Sequence, residues 1–271
     1  MQGKIIKQLS NDYTVLSNNK IYICKPRGKF RKDNLVPLVG DNVLFDEKNN
    51  YLLEILPRKN SLIRPSVANI DQVVIITSVK DPDFSSNLLD KLLTIVEYNN
   101  IKPIICFTKL DLLDNKEEIN NIIEYYKKIG YLVYISTDID NISKIFSSKL
   151  TVFTGQSGAG KSTLLNKLDN NLNLKTGEIS YALGRGKHTT RHVELLNLYD
   201  GLVADTPGFS ALDLNYMTDI QIRDTFIEFK NECKYRDCMH INEDGCEVIK
   251  RLDKDILKSR YDNYVKFLRR K

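Results

Sequence analysis

At 271 residues and 31.2 kDa the chain has room for about two domains of ~100 to 200 residues, each able to bury a core without covalent staples. Its 42% hydrophobic and 28% charged residues, with a mean hydropathy of -0.32, exclude the disordered, collagen-like and small disulfide-scaffold classes. The net charge of +5 is unevenly spread: +6 over residues 1–64, -4 over 65–220 and +3 over 221–271, so a polyanion larger than one nucleotide is the expected partner.

No apolar run approaches the ~18 residues of a membrane span. Met1 to Asp12 also lacks the apolar core of a secretory signal, so the sequence reads as cytoplasmic. The first segment reads as short strands at Gly3 to Gln8, Tyr13 to Ser17, Lys20 to Cys24, Asn42 to Phe45 and Tyr51 to Leu56. Five strands with turn residues between them predict an all-β barrel of the oligonucleotide-binding (OB) kind, other small β-barrels being the alternative. A loop after the third strand sets Lys25, Arg27, Lys29, Arg31 and Lys32 around Phe30, the combination that holds a phosphate backbone and stacks a base.

From Gln72 the pattern becomes continuous apolar runs alternating with amphipathic helices, the signature of a parallel α/β sheet. Strands are predicted at Val73 to Thr77, Ile104 to Phe107, Leu132 to Ser136, Leu150 to Phe153 and Leu202 to Ala204. Helices are predicted at Asn87 to Asn99, Glu117 to Ile129 and Lys161 to Leu168. Beyond Asp213 the chain is helical again, interrupted by a cysteine-rich window, and ends in a basic helix from Lys254 to Lys271. Three modules follow: 1–64, an OB barrel whose basic loop suits a nucleic acid; 65–220, an α/β nucleotide-binding domain; and 221–271, a helical metal-binding module.

Just past the second of these α/β strands stands Thr108-Lys109-Leu110-Asp111. One carboxylate, Asp111, accepts from both N1–H and the 2-amino group of guanine, which adenine cannot offer, so the expected nucleotide is GTP. Lys109 lies along the base plane, and Ser136-Thr137 after the next strand matches the loop that supports the guanine O6. Gly155, Gln156, Ser157, Gly158, Ala159, Gly160, Lys161, Ser162 and Thr163 form a P-loop between a predicted strand and a predicted helix. Its glycines let backbone N–H groups wrap the phosphates, Lys161 reaches the β and γ phosphates, and Ser162 ligates magnesium.

The polar, glycine-rich stretch Leu183 to Arg191 reads as a switch, with Thr189 or Thr190 closing over magnesium and the γ phosphate; spacing does not choose between them. Asp205-Thr-Pro-Gly208 follows an apolar strand, which places Asp205 to hold the magnesium shell and Gly208 to donate its N–H to the γ phosphate. Phe209 stands where many GTPases carry a water-orienting glutamine, leaving His188 as the nearest polar candidate for that task. Cys233, Cys238, His240 and Cys246 supply four ligands of the types zinc prefers in closed tetrahedral sites, an iron–sulfur cluster or free thiols being the alternatives.

In an ordinary GTPase the P-loop precedes the guanine motifs; here the order is reversed, which describes a circular permutation. These motifs, with Val39-Gly-Asp41 and Arg64-Pro65, make the chain resemble the circularly permuted, small-subunit-dependent GTPases of bacterial ribosome maturation. The resemblance runs nearly the whole length, with a short N-terminal extension as the departure. It implies an OB barrel, a permuted GTPase and a zinc module; hydrolysis of GTP to GDP stimulated by the small ribosomal subunit; contact with its rRNA; and a water-orienting role for His188. Binding to RNA under GTP control, with turnover incidental, is the alternative. A monomer is expected.

Overall fold

The computed structural model describes residues 1–28, 30, 35–62, 65–169, 193–204, 213–229 and 233–269. By contacts within the chain these divide into two compact units, one of residues 1–74, 138–154 and 161–209, the other of 75–137, 155–160 and 210–271.

The first unit opens with a closed barrel of β1 (Gln2–Leu9), β2 (Asp12–Ser17), β3 (Lys20–Pro26), β4 (Asn42–Asp46) and β5 (Tyr51–Ile55) in the order β1-β2-β3-β5-β4. Antiparallel β1–β4 pairing, Gln2 opposite Leu44, closes it, and β3 runs parallel to β5 with Lys25 opposite Tyr51. This is the order of an OB barrel. Alternate side chains point inward, and Ile5, Val15, Cys24, Val43, Phe45 and Leu52 form a core with no exposed surface.

A short ladder of β6 (Ser61–Leu62) and β7 (Val67–Ala68) follows. Gly40 meets it with φ 92°, and a Cβ there would lie 2.1 Å from the Ala68 carbonyl oxygen, so the close approach requires glycine. Its neighbour Asp41 is fully buried; it accepts from the Leu38 N–H at 2.7 Å and from Arg58 Nε and Nη2 at 2.7 and 2.8 Å. Val39-Gly-Asp41 therefore acts as a structural corner.

The same unit contains the start of β8 (Gln72–Ser78), then β11 (Leu150–Gly155), β13 (Gly201–Ala204) and β12 (Leu195–Leu198) in sheet order. Strand β13 runs parallel to β11, with Leu202 opposite Leu150, while β12 returns antiparallel through Tyr199 and Asp200, both at positive φ. Helix α3 (Ile139–Ser143) and helix α4 (Lys161–Leu168) belong here as well.

In the second unit the end of β8 joins β9 (Lys102–Thr108) and then β10 (Leu132–Ile135), which runs parallel to β9. Helix α1 (Ser86–Tyr98) is capped by Ser85, whose side chain accepts from the Leu88 N–H, and buries Leu89, Leu92, Leu93 and Val96 on one face. Helix α2 (Glu117–Lys128) buries Ile119, Ile123 and Tyr126. Three further helices complete the unit: α5 (Asp219–Asp224), closed by a Thr218/Gln221 capping box, α6 (Glu247–Lys250) and α7 (Lys258–Arg269). The terminal helix begins at Lys258 rather than Lys254, because Asp253 is left-handed (φ 59°) and the Ile256 N–H turns back to Arg251 O at 3.1 Å.

Helix α7 is fastened to α1 through charge. Arg260, with 1% of its surface exposed, donates from Nη1 to Asp90 Oδ1 at 2.6 Å, from Nε to Glu228 Oε1, and from Nη2 to Glu228 Oε2 at 3.2 Å. Tyr126 Oη and Asn263 Nδ2 complete the shell of Asp90 at 2.6 and 2.7 Å, and the guanidinium lies 4.6 Å from the Phe226 ring centre. The carboxylates and the cation are thus buried together, as buried charge requires.

Candidate functional site

Residues 108–111, 136–137 and 155–160 all lie in the second unit. Strand β11 ends at Gly155, whose φ of 148° and a would-be Cβ 2.1 Å from Ile76 O exclude any side chain. From there the chain turns through Gln156, Ser157 and Gly158 (φ 77°) to Ala159, with the Ala159 N–H donating to Gln156 O at 3.1 Å, and through Gly160 (φ 94°). Helix α4 starts at the next residue, so Lys161, Ser162 and Thr163 form its first turn, the place where backbone N–H groups stand free for an anion.

Thr108, at the end of β9 and 3% exposed, donates from Oγ1 to Ala159 O at 2.6 Å. The Thr108–Asp111 stretch and the Gly155–Gly160 loop are thereby bonded directly. Lys109 adopts a left-handed conformation (φ 62°) and donates from Nζ to Asp81 O, while Lys80 Nζ donates to Leu112 O at 3.3 Å. The 3₁₀ turn Leu110–Leu112 presents Asp111 as an exposed carboxylate. Ser136 donates its N–H to Phe107 O at 2.8 Å, which sets Ser136 and Thr137 beside the strand that leads into Thr108.

Asp205, Gly208, His188, Thr189 and Thr190 lie outside the described residues, as do Lys29, Arg31 and Lys32. The strand before Asp205, β13, runs parallel to the P-loop strand. On the barrel, Lys25 and Arg27 are exposed, whereas Phe30 is 6% exposed; its ring belongs to the core and is not open for stacking a base. The exposed aromatic beside the loop is Tyr51, with the Arg27 guanidinium 5.9 Å from its ring centre.

Cys233, Cys238, His240 and Cys246 converge, their ligand atoms all within 4.8 Å of one another. Cys233 Sγ lies 3.6 Å from His240 Nδ1 and 3.9 Å from Cys246 Sγ, and His240 Nδ1 lies 3.3 Å from Cys246 Sγ. A tetrahedral ion with Zn–S of about 2.3 Å and Zn–N of about 2.0 Å sets S···S near ~3.8 Å and N···S near ~3.5 Å, close to the separations among Cys233, His240 and Cys246, so the donor set fits zinc. Burial pushes the Cys238 thiol up to about 12 and the His240 imidazole down. Imidazole nitrogen is thus kept available to a metal, and the Cys238 thiol needs a cation to ionise. Cys24 and Cys106 are buried singly, and burial pushes the Cys106 thiol up to about 12, which leaves it inert.

Residues 55–215 match the family model described as RsgA GTPase, and residues 2–52 match that of the RsgA N-terminal domain. The chain belongs to the RsgA GTPase family. Among curated RsgA proteins it is 49% identical to the small ribosomal subunit biogenesis GTPase RsgA of Enterococcus faecalis, over 99% of this chain and 94% of that one. It is 46% identical to the protein of that name from Bacillus pumilus, over 98% and 96%.

Among solved structures, YloQ, described as a circularly permuted GTPase, superposes with a TM-score of 0.82 at 40% identity, covering 99% of this chain and 93% of that one. YjeQ from Thermotoga maritima superposes with a TM-score of 0.85 at 32% identity, covering 99% and 97%. As an RsgA family member the chain is a GTPase, and its N-terminal barrel and permuted GTPase fold are those of its relatives.

Two groups of buried side chains gave no motif in the sequence: the Asp90–Arg260–Glu228 triad and the tyrosines of α7. Their one trace is the spacing of Arg260, Tyr261, Tyr264 and Phe267 along a single helix face.

Proposed function

We propose that this chain binds the maturing small ribosomal subunit in its GTP state and leaves it after hydrolysing GTP, with the subunit stimulating that hydrolysis. The observation that carries the reading is the 2.6 Å bond from Thr108 Oγ1 to Ala159 O, which supports one pocket for guanine and phosphate. In it Asp111 reads the base, Lys109 lies along it, and Ser136 and Thr137 support its carbonyl edge. The backbone from Gly155 to Gly160 and the Lys161 ammonium take the phosphates.

Ser162, in the first turn of α4, and Asp205 offer the hard oxygen donors that would hold magnesium. When bound, that ion neutralises charge on the β and γ phosphates. Thr189 or Thr190 closes over the γ phosphate with Gly208 on its other side, and His188 orients the attacking water. Cys233, Cys238, His240 and Cys246 would hold one structural zinc.

Lys25 and Arg27, with Lys29, Arg31 and Lys32, engage rRNA phosphates. The modules are 1–64, 65–220 and 221–271, and the protein works as a cytoplasmic monomer. The test is single-turnover GTP hydrolysis with and without purified small subunits, read together with subunit binding. Stimulated turnover followed by release is the expected result; binding under GTP without stimulation refutes the timing role.

A further inference from the structure

The loop that contributes Cys238 and His240 is tied along both edges of its backbone. On the carbonyl side, Cys238 O accepts from Arg223 Nη1 of α5 at 3.2 Å, Met239 O from Tyr264 Oη at 2.5 Å, and His240 O from Tyr261 Oη at 2.8 Å, both tyrosines being on α7. On the amide side one carboxylate takes three N–H groups: Glu243 Oε1 accepts from Met239 at 2.6 Å, and Oε2 from Ile241 at 2.8 Å and Asn242 at 3.1 Å. Glu243 O also accepts the Cys246 N–H at 3.2 Å, so the same residue reaches two ligand-bearing stretches of chain.

Inside this frame His240 is left-handed, φ 58°, a conformation that is unfavourable for an ordinary L-residue because Cβ crowds the backbone carbonyl. The loop would not rest there unaided. With the frame in place His240 Nδ1 faces Cys246 Sγ at 3.3 Å.

We propose that Glu243 is the positioning residue of the metal cluster, a carboxylate that ligates nothing itself and holds the Cys238–Asn242 backbone in ligating shape before the ion arrives. The proposal rests on reading the cluster as a zinc site. Chemistry explains why a carboxylate is used. Two oxygens with about four lone-pair directions serve three donors, whereas an amide offers one oxygen and turns an NH₂ toward an N–H. Outer-shell partners of this kind typically change metal affinity by 10- to 100-fold.

The test uses the full chain loaded with zinc. Glu243→Gln is expected to bind zinc about 10- to 100-fold more weakly in chelator competition. Its cobalt-substituted form should lose intensity in the ligand-field bands of a tetrahedral sulfur-rich site, while GTP affinity stays that of the parent. Tyr264→Phe, which removes the donor to Met239 O and keeps the ring, should weaken zinc in the same direction. Asp244→Asn removes an equal charge one residue away on an exposed side chain and should change neither readout.

Parental zinc affinity and cobalt spectrum in Glu243→Gln overturn the proposal. So does an equal loss in Asp244→Asn, which would make the effect one of net charge. Should Glu243→Gln not fold, Glu243→Asp keeps the charge but falls a methylene short, and zinc affinity equal to the parent's then overturns the role. A parent chain that takes up no zinc overturns the metal reading, and this role with it; a parent that binds zinc while Glu243→Gln is unaffected overturns this role alone.

Discussion

Arg260→Met tests whether α7 is held by charge or merely by contact. The substitution keeps most of the side-chain volume and strands two carboxylates whose side chains are 0% and 2% exposed. Removing one member of a buried ion cluster costs about 3 to 5 kcal/mol, because the partners stay desolvated without compensation. At 2 to 4 °C per kcal/mol for a chain of this class, the midpoint should fall by roughly 10 °C. Lys127→Ala provides the scale: its pair with Glu124 is 2.8 Å long but exposed, and such pairs are worth about 0.5 kcal/mol.

The sign of the pH dependence is a second reading of the same variant. Burial pushes the Asp90 carboxyl up, against the downward pull of Arg260, Tyr126 and Asn263. A carboxyl whose folded pKa exceeds its unfolded one binds more protons when folded, so its contribution to stability is lost as pH rises through the interval between them. Deleting Arg260 removes the largest pull and widens that interval, so the gap between variant and parent should narrow from about pH 7 to about pH 5. The assays are thermal and urea melts with hydrogen exchange at the amides of α1 and α7. A loss below about 1 kcal/mol, or a gap that widens on acidification, refutes the reasoning.

Asp111→Asn should transfer preference from guanine to xanthine nucleotides, since the amide can donate where the carboxylate could only accept; unaltered GTP affinity in a competition assay rejects the base-reading role. Gly155→Ala, whose Cβ would meet Ile76 O at 2.1 Å, should cost about 1–3 kcal/mol in urea unfolding and weaken nucleotide binding, and a neutral result would mean the loop can relax. His188→Ala should lower the subunit-stimulated single-turnover rate by about 10²- to 10⁴-fold while sparing subunit binding under GTP. Stripping the chain with a zinc chelator should release one zinc per chain by elemental analysis and raise hydrogen exchange in α7, with GTP affinity largely retained.

Strands and helices with a single strong period were legible in the sequence to within a residue or two. Val73 to Thr77 became Gln72–Ser78, and Lys161–Leu168 stands unchanged. The glycine and cysteine motifs were legible for a related reason, since each encodes a local backbone or ligand requirement. Strand β12 was not, because Leu195, Leu196 and Leu198 gain meaning from pairing with β13 through a two-residue turn. Phe30 misled because an aromatic among cations looks like a stacking platform, whereas the fold turns its ring inward. Arg260 left only its place on the buried face of α7, and Glu243 left no trace: their partners lie at other elements or in backbone amides.

The Asp90–Arg260 bond also has a direction in time. Its partners are separated by 170 residues, so at ~5–20 residues per second Asp90 is synthesised roughly 10 to 30 s before its cation. Until then α1 carries a carboxylate on the face it must bury, an arrangement that penalises early collapse of β8, β9 and β10 around it. A chain interrupted ahead of residue 258 therefore lacks the guanidinium that Asp90 and Glu228 share, and α1 is left with a carboxylate on its buried face and no cation opposite it.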